Sequence, residues 1–169
     1  VGIHRYTYPS DTPRRLTIDL DHSSNKGSWG RTIIQSQIRQ TGPRTIEGFR
    51  VITGWAKLRK IYFTAEFSED IAALELSDGD VKREGATVIN GRALKAKLDF
   101  GKAGCPVVAK VALSGVSLPN ARLNMQAEAP HFDFDRYVSH ADKEWDKTLG
   151  RIEAEGPDDK LKTFYTALY

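Results

Sequence analysis

The chain has 169 residues, 40% of them hydrophobic and 28% charged, with a formal net charge of +3. That is enough to build one domain with a real core. Its cations are interleaved with acids rather than gathered in a block, which gives no nucleic-acid footprint. No stretch approaches the roughly twenty apolar residues of a membrane span.

The chain opens "VGIHRYTYP", which reads as a strand already under way, without an initiator Met or a signal peptide. The first two thirds then alternate with period two. In "RRLTIDL", Leu16, Ile18 and Leu20 share one face, with Thr17 and Asp19 on the other. The segments "RTIIQSQI" and "TIEGFRVITGW" add two predicted strands. In "KIYFTAEF", Ile61, Phe63, Ala65 and Phe67 oppose Tyr62, Thr64 and Glu66. "ALKAKLDF" and "VVAKVALS" repeat the pattern. Half-buried antiparallel strands require this alternation, because successive side chains leave opposite faces. Asn90-Gly91 is a strong hairpin signal, and Asp78-Gly79 marks another turn. Many short strands with close turn signals predict an antiparallel β-sandwich, and so a mainly β fold.

The period then changes. "SLPNARLNMQAEAPHFD" reads as a linker. Phe134, Tyr137, Val138, Ala141, Trp145 and Leu149 recur at three and four residues, which predicts an amphipathic helix. Asp133 can cap its start, and Gly150 can end it in a left-handed conformation. "RIEAE" returns briefly to period two, as a short strand would. A closing helix starts at Pro157, followed by two acids that suit a helix N-terminus. Leu161, Phe164, Tyr165 and Leu168 repeat along it, and no stop signal follows Tyr169, so both ends of the sequence look cut. The expected division is a sandwich over 1–118, a linker with helix and short strand over 119–156, and the first helix of a further domain over 157–169.

Chemistry is sparse. His4, His22, His131 and His140 do not pair at metal-ligand spacing, and there is no Cys/His cluster. His22 lies in a polar loop. Asp19-Leu20-Asp21 has the spacing of half a calcium loop but lacks the Gly and Glu at the required offsets. Cys105, the single cysteine, precedes Pro106 in a turn and reads as structural. There is no nucleophile elbow, P-loop or dinucleotide fingerprint. Acids are plentiful, yet spacing singles out no pair. Trp29 sits in a Gly-rich loop, and Trp55 follows Gly54 at a strand end. A tryptophan so placed can offer a flat face to a sugar ring; the alternative for Trp55 is an ordinary core position.

Four segments taken together resemble family 92 glycoside hydrolases: "GIHRYTYP", "GFRVITGWAKLRKIYFTAEFS", the spacing of Trp145 and Leu149, and "KTFYTALY". The resemblance runs from Gly2 to Tyr169 and is weakest over roughly Val81 to Gly104. It implies a calcium-dependent, inverting exo-α-mannosidase, of α-1,2 type, mostly found in bacteria and exported to the periplasm or cell surface. It also implies that the sandwich lacks its front strands and leads through two α-helices into an (α/α) barrel domain of the same protein. The catalytic acid, the base and the Ca2+ ligands would lie in that barrel, beyond Tyr169. No catalytic or metal residue is therefore assigned within this chain, and the fragment alone is expected to be inactive. Trp55 is the residue expected to touch a mannose-containing glycan. The alternative is a non-catalytic carbohydrate-binding or scaffold sandwich.

Overall fold

The computed structural model describes residues 1–22, 32–54, 56–102, 104 and 106–169. Among the described residues, ten strands and three helices divide into two units, Val1–Phe132 and Asp133–Tyr169. The first unit is the antiparallel sandwich. Its wide sheet runs β1 (Gly2–Tyr6), β10 (Val107–Ser114), β5 (Arg59–Phe67), β4 (Thr45–Thr53), β3 (Thr32–Gly42), β8 (Val88–Gly91). Its narrow sheet runs β2 (Arg15–Asp19), β9 (Leu94–Asp99), β6 (Ala73–Asp78), β7 (Val81–Arg83).

Register turns the alternation into a core. Ala109 pairs with Phe67 and Val111 with Ala65, while Ile46 pairs with Ala65 and Ile38 lies opposite Gly48. Each of these residues faces the narrow sheet, where Leu98 lies opposite both Leu16 and Leu74, and Ala96 opposite both Ile18 and Leu76. Ile38, Ile46, Leu76, Leu94, Ala96, Leu98 and Val107 are fully buried. The outer side chains of the narrow sheet form a charged ladder, in which Glu75 pairs with Lys82 and Lys97, and Asp99 with Arg15.

The outer face of the wide sheet is not left to water. Helix α1 (Leu118–Glu128) packs on β10, β5 and β4. This helix occupies the stretch read as a linker. Its cap is conventional, since the Ser117 hydroxyl accepts from Asn120 N–H and a proline sits in the first turn. Its buried residues are only Ala121 and Met125, so it carries almost no apolar stripe. Small residues let the helix lie close, and Val108, Ala112 and Thr64 are buried beneath it.

Two buried charges, Glu47 and Lys110, fix α1 and the segment after it. Glu47, 2% exposed, accepts from Arg122 Nε at 2.5 Å and Nη2 at 2.6 Å, and from Arg39 at 3.2 Å. Lys110, also buried, reaches Glu66 at 2.9 Å and the Ala129 carbonyl at 2.9 Å, with the Phe132 ring 4.2 Å from its Nζ.

Two turn readings change. Asn90 and Gly91 are not a hairpin turn: both lie in β8, pairing with Gln37 and Ser36, and neither has positive φ. The chain crosses to the narrow sheet at Arg92 and Ala93, whose N–H groups donate to Asp78 Oδ1. Gly91 is needed there because a Cβ would collide with the Asp78 carboxylate. The hairpin is at the other signal, with Gly79 (φ 57°) between β6 and β7.

In the second unit, α2 (Phe134–Leu149) is capped by Asp133 as expected, and α3 (Asp158–Leu168) starts after Pro157. Gly150 ends α2 at φ −69°, not in the left-handed region. Residues 151–155, read as a short strand, have turn and irregular backbone. The Tyr165 hydroxyl donates to the Ile152 carbonyl and accepts from Ala154 N–H, which ties α3 to that connection. The rings of Trp145 and Tyr169 lie 4.5 Å apart.

Replacing Arg122 by Met is expected to cost roughly 2–4 kcal/mol in urea unfolding, because a buried carboxylate loses its main partner. The Arg122 guanidinium, with Arg39, holds the Glu47 carboxyl below its ordinary value despite burial. A depressed folded value stabilises above the unfolded one and is lost as pH falls through the folded one. The stability gap between wild type and Glu47→Gln should therefore narrow below about pH 4; a gap that stays constant would contradict the ion pair. At Gly48 a Cβ would overlap the Gln37 carbonyl and lie 2.7 Å from the Phe63 ring. Gly48→Ala should lose at least about 2 kcal/mol by the same assay, since neither neighbour can retreat from a packed core.

Candidate functional site

A catalytic site would need a carboxylic acid kept protonated, a carboxylate base, or a metal cluster. The carboxyls that shift among the described residues all shift down. For Glu75 the cause is hydrogen bonding from Lys82 and Lys97. For Asp99 it is Arg15 and the Gly101 N–H. Partial burial pushes Asp19 up, but donation from the N–H groups of Asp21 and His22, with Lys95, outweighs it. Glu47 is the most enclosed of them, and its two oxygens accept from Arg122, Arg39 and the Thr64 hydroxyl. These are carboxylates built to stay charged and paired, the opposite of a general acid.

No three His, Cys, Asp or Glu side chains among the described residues come together as metal ligands. The described residues do not fit a calcium site. His4 lies on β1 with its ring stacked on Tyr6 at 6.0 Å, and His22 and His140 are exposed. The expected sugar contact, Trp55, lies outside the described residues, as do Trp29 and Cys105.

Among the described residues, a groove of about 350 Å³ with an apolar lining lies between the two sheets of the sandwich. One wall is β2 and the residue after it, through Leu16, Ile18 and Leu20. Its floor is the overhanging part of the wide sheet, through Tyr6, Ile61, Val111 and Leu113. Arg50 and Asp19 stand at one end, with Arg50 donating to the carbonyls of Leu20 and His22. Sugar recognition calls for converging polar donors and acceptors beside an aromatic face; this groove is mainly aliphatic. Sequence reasoning missed both this groove and the Glu47 cluster. A glutamate inside "TIEGFRV" beside a glycine was the one available signal for the cluster.

The second unit exposes much apolar surface for its size. Val138, Trp145, Ile152, Phe164, Leu168 and Tyr169 are each between 37% and 77% exposed.

Comparison with known proteins places this architecture. Residues 1–114 match the glycosyl hydrolase family 92 N-terminal domain, and residues 120–169 match the family 92 catalytic domain. The GH92 alpha-mannosidase BT3965 from Bacteroides thetaiotaomicron is similar over 98% of this chain, at 30% identity and a TM-score of 0.85. A structure of BT3965 with mannoimidazole is similar over 92% of the chain, at 28% identity and a TM-score of 0.80. The GH92 inverting mannosidase BT2199 from the same organism shares the fold over 99% of the chain, at 24% identity and a TM-score of 0.80. The chain covers 23%, 21% and 22% of those three chains, under a quarter of their length. No curated protein matches it. A sandwich with α1 clamped to its outer face, matched along most of its length by one family's N-terminal domain, identifies the chain as a member of glycosyl hydrolase family 92.

Proposed function

We propose that the chain is the N-terminal sandwich, with the opening helices of the catalytic domain, of an inverting exo-α-mannosidase acting on mannose-containing glycans. The two-part match carries this reading: one chain matches the family's N-terminal domain and then the start of its catalytic domain. The mannosidases BT3965 and BT2199 support the sugar, and BT2199 supports inversion. The exposed apolar residues of α2 and α3 support a further folded partner, since an unsupported patch of this kind marks an interface. On this reading they dock on the remainder of the (α/α) catalytic barrel.

Inversion uses one carboxylic acid to protonate the leaving oxygen and one carboxylate to activate water on the opposite face, about 6.5–9.5 Å apart. The carboxyls whose titration is shifted, Asp19, Glu47, Glu75 and Asp99, are all lowered, and the reading, following the family resemblance, assigns both catalytic groups to polypeptide outside these 169 residues. Calcium dependence, α-1,2 linkage and export to the periplasm or cell surface belong to the same proposal and come from the family resemblance. Calcium, where bound, would favour distortion of the mannose ring. This chain's part is to cover one side of the catalytic domain and to bring Trp55 to the substrate.

The test is mannose release from α-linked mannobioses by the longer protein that contains this chain, with proton NMR of the first-formed anomer. Expected are release of β-mannose, loss of activity with a chelator and its return with calcium, and no activity from the 169 residues alone. Initial release of α-mannose would refute inversion, and full activity in chelator would refute the calcium requirement. Glycan binding by the inactive 169 residues would favour a carbohydrate-binding role for the sandwich itself.

A further inference from the structure

An asparagine followed by glycine is prone to spontaneous deamidation, because glycine has no Cβ to shield its amide nitrogen. That nitrogen attacks the asparagine carboxamide carbon, ammonia leaves, and a five-membered succinimide closes. Water then opens the ring at either carbonyl, giving aspartate or isoaspartate. Asn90-Gly91 is the only such pair in the sequence. The Asn90 side chain is exposed, yet the pair lies inside β8, the outermost strand on that side of the wide sheet among the described residues.

Strand pairing holds the two reacting groups apart. Gln40 N–H donates to the Thr87 carbonyl at 2.8 Å, which makes these two a hydrogen-bonded pair. Bonded and non-bonded pairs alternate along an antiparallel ladder. Gln37 with Asn90 is therefore a non-bonded pair, while Ile38 with Ile89 and Ser36 with Gly91 are bonded. The Gln37 carbonyl obeys the same alternation by facing β4, where a Cβ on Gly48 would collide with it. Gly91 N–H thus donates to the Ser36 carbonyl, and the Gly91 carbonyl accepts from the Ser36 hydroxyl at 2.8 Å. The nucleophile lies in the plane of the sheet and is aimed at β3. The electrophile stands off that plane, where Asn90 Oδ1 accepts from Gln37 Nε2 at 2.9 Å. Buried Ile89 anchors the strand beside them. The glycine that makes Asn90 labile is itself demanded by the fold, since a Cβ there would meet the Asp78 carboxylate.

We propose that Asn90 is a deamidation site gated by the ladder between β8 and β3, intact while β8 is paired and converted when β8 lifts away. The isoaspartyl product carries the main chain through the side-chain carbons and lengthens it by a methylene. Gly91 can then no longer meet Ser36 in register while Arg92 and Ala93 keep their bonds to Asp78. The aspartyl product leaves the main chain unchanged and keeps an oxygen for Gln37. Openings of this strand are therefore recorded covalently, and one of the two products stops it from closing again.

The test uses the longer protein that contains this chain, incubated in mildly alkaline buffer, folded or unfolded in urea. Peptide mass spectrometry reads conversion of Asn90, with isoaspartate and aspartate separated by chromatography. Expected is conversion at least about 10-fold slower in the folded protein. Below the unfolding transition, added urea should raise Asn90 conversion and Gly91 amide exchange in the same proportion, since both need the same bond to open. Ile89→Ala removes the buried anchor; it should speed conversion in the folded protein and leave the unfolded rate unchanged. After refolding, the isoaspartyl form should exchange fast at Gly91, and the aspartyl form should be as protected as the unmodified protein. Equal rates in folded and unfolded protein would overturn the gate, as would conversion that rises without Gly91 exchange. An isoaspartyl form with Gly91 fully protected would overturn the block on closing. None of these readouts depends on mannosidase activity.

Discussion

Burial of the centre of the wide sheet, β4, β5 and β10, on both faces is the constraint from which the rest of the sandwich follows. Its inner face meets the narrow sheet, and its outer face meets α1. Strands in that position cannot expose polar side chains to water. The polar groups that remain, Glu47, Thr64 and Lys110, must be satisfied within the protein. They are satisfied by α1 and its continuation: Arg122 clasps Glu47, and the Ala129 carbonyl with the Phe132 ring receives Lys110. The helix is thus held by charge and close approach rather than by a wide apolar stripe. Removing one partner of such a pair is costly, because the other stays buried.

The same constraint explains what the sequence made legible. Strands with one face to water, such as β2 and β9, show clean alternation and were read directly. β5 and β10 also alternate, but their second faces, Thr64 and Lys110 among them, read as solvent-facing when they lie under α1. The helix itself reads as a linker in sequence because its contact residues, Ala121 and Met125, give no periodic stripe. Asn90-Gly91 misled for a related reason. The glycine serves a close approach to Asp78, a tertiary demand that looks in sequence like a turn. Asp78-Gly79, where positive φ is used, is the true hairpin. The family was legible from four short motifs; the groove was not, since it exists only where two sheets of different width overlap.

The sandwich is electrostatically conservative. The shifted carboxyls described above are all lowered by a cation or by backbone N–H groups. Such groups stabilise a fold at neutral pH and are poor proton donors.

The position of α1 alters how the parts of such a protein can be separated. The family's catalytic domain begins its match at residue 120, within α1, yet compactness puts the border between Phe132 and Asp133. A recombination or excision made at the sequence border would carry Arg122 away from Glu47 and bare Ala112. The heritable module and the physical module are offset by about one helix, and a sandwich borrowed by another protein would have to bring that helix along.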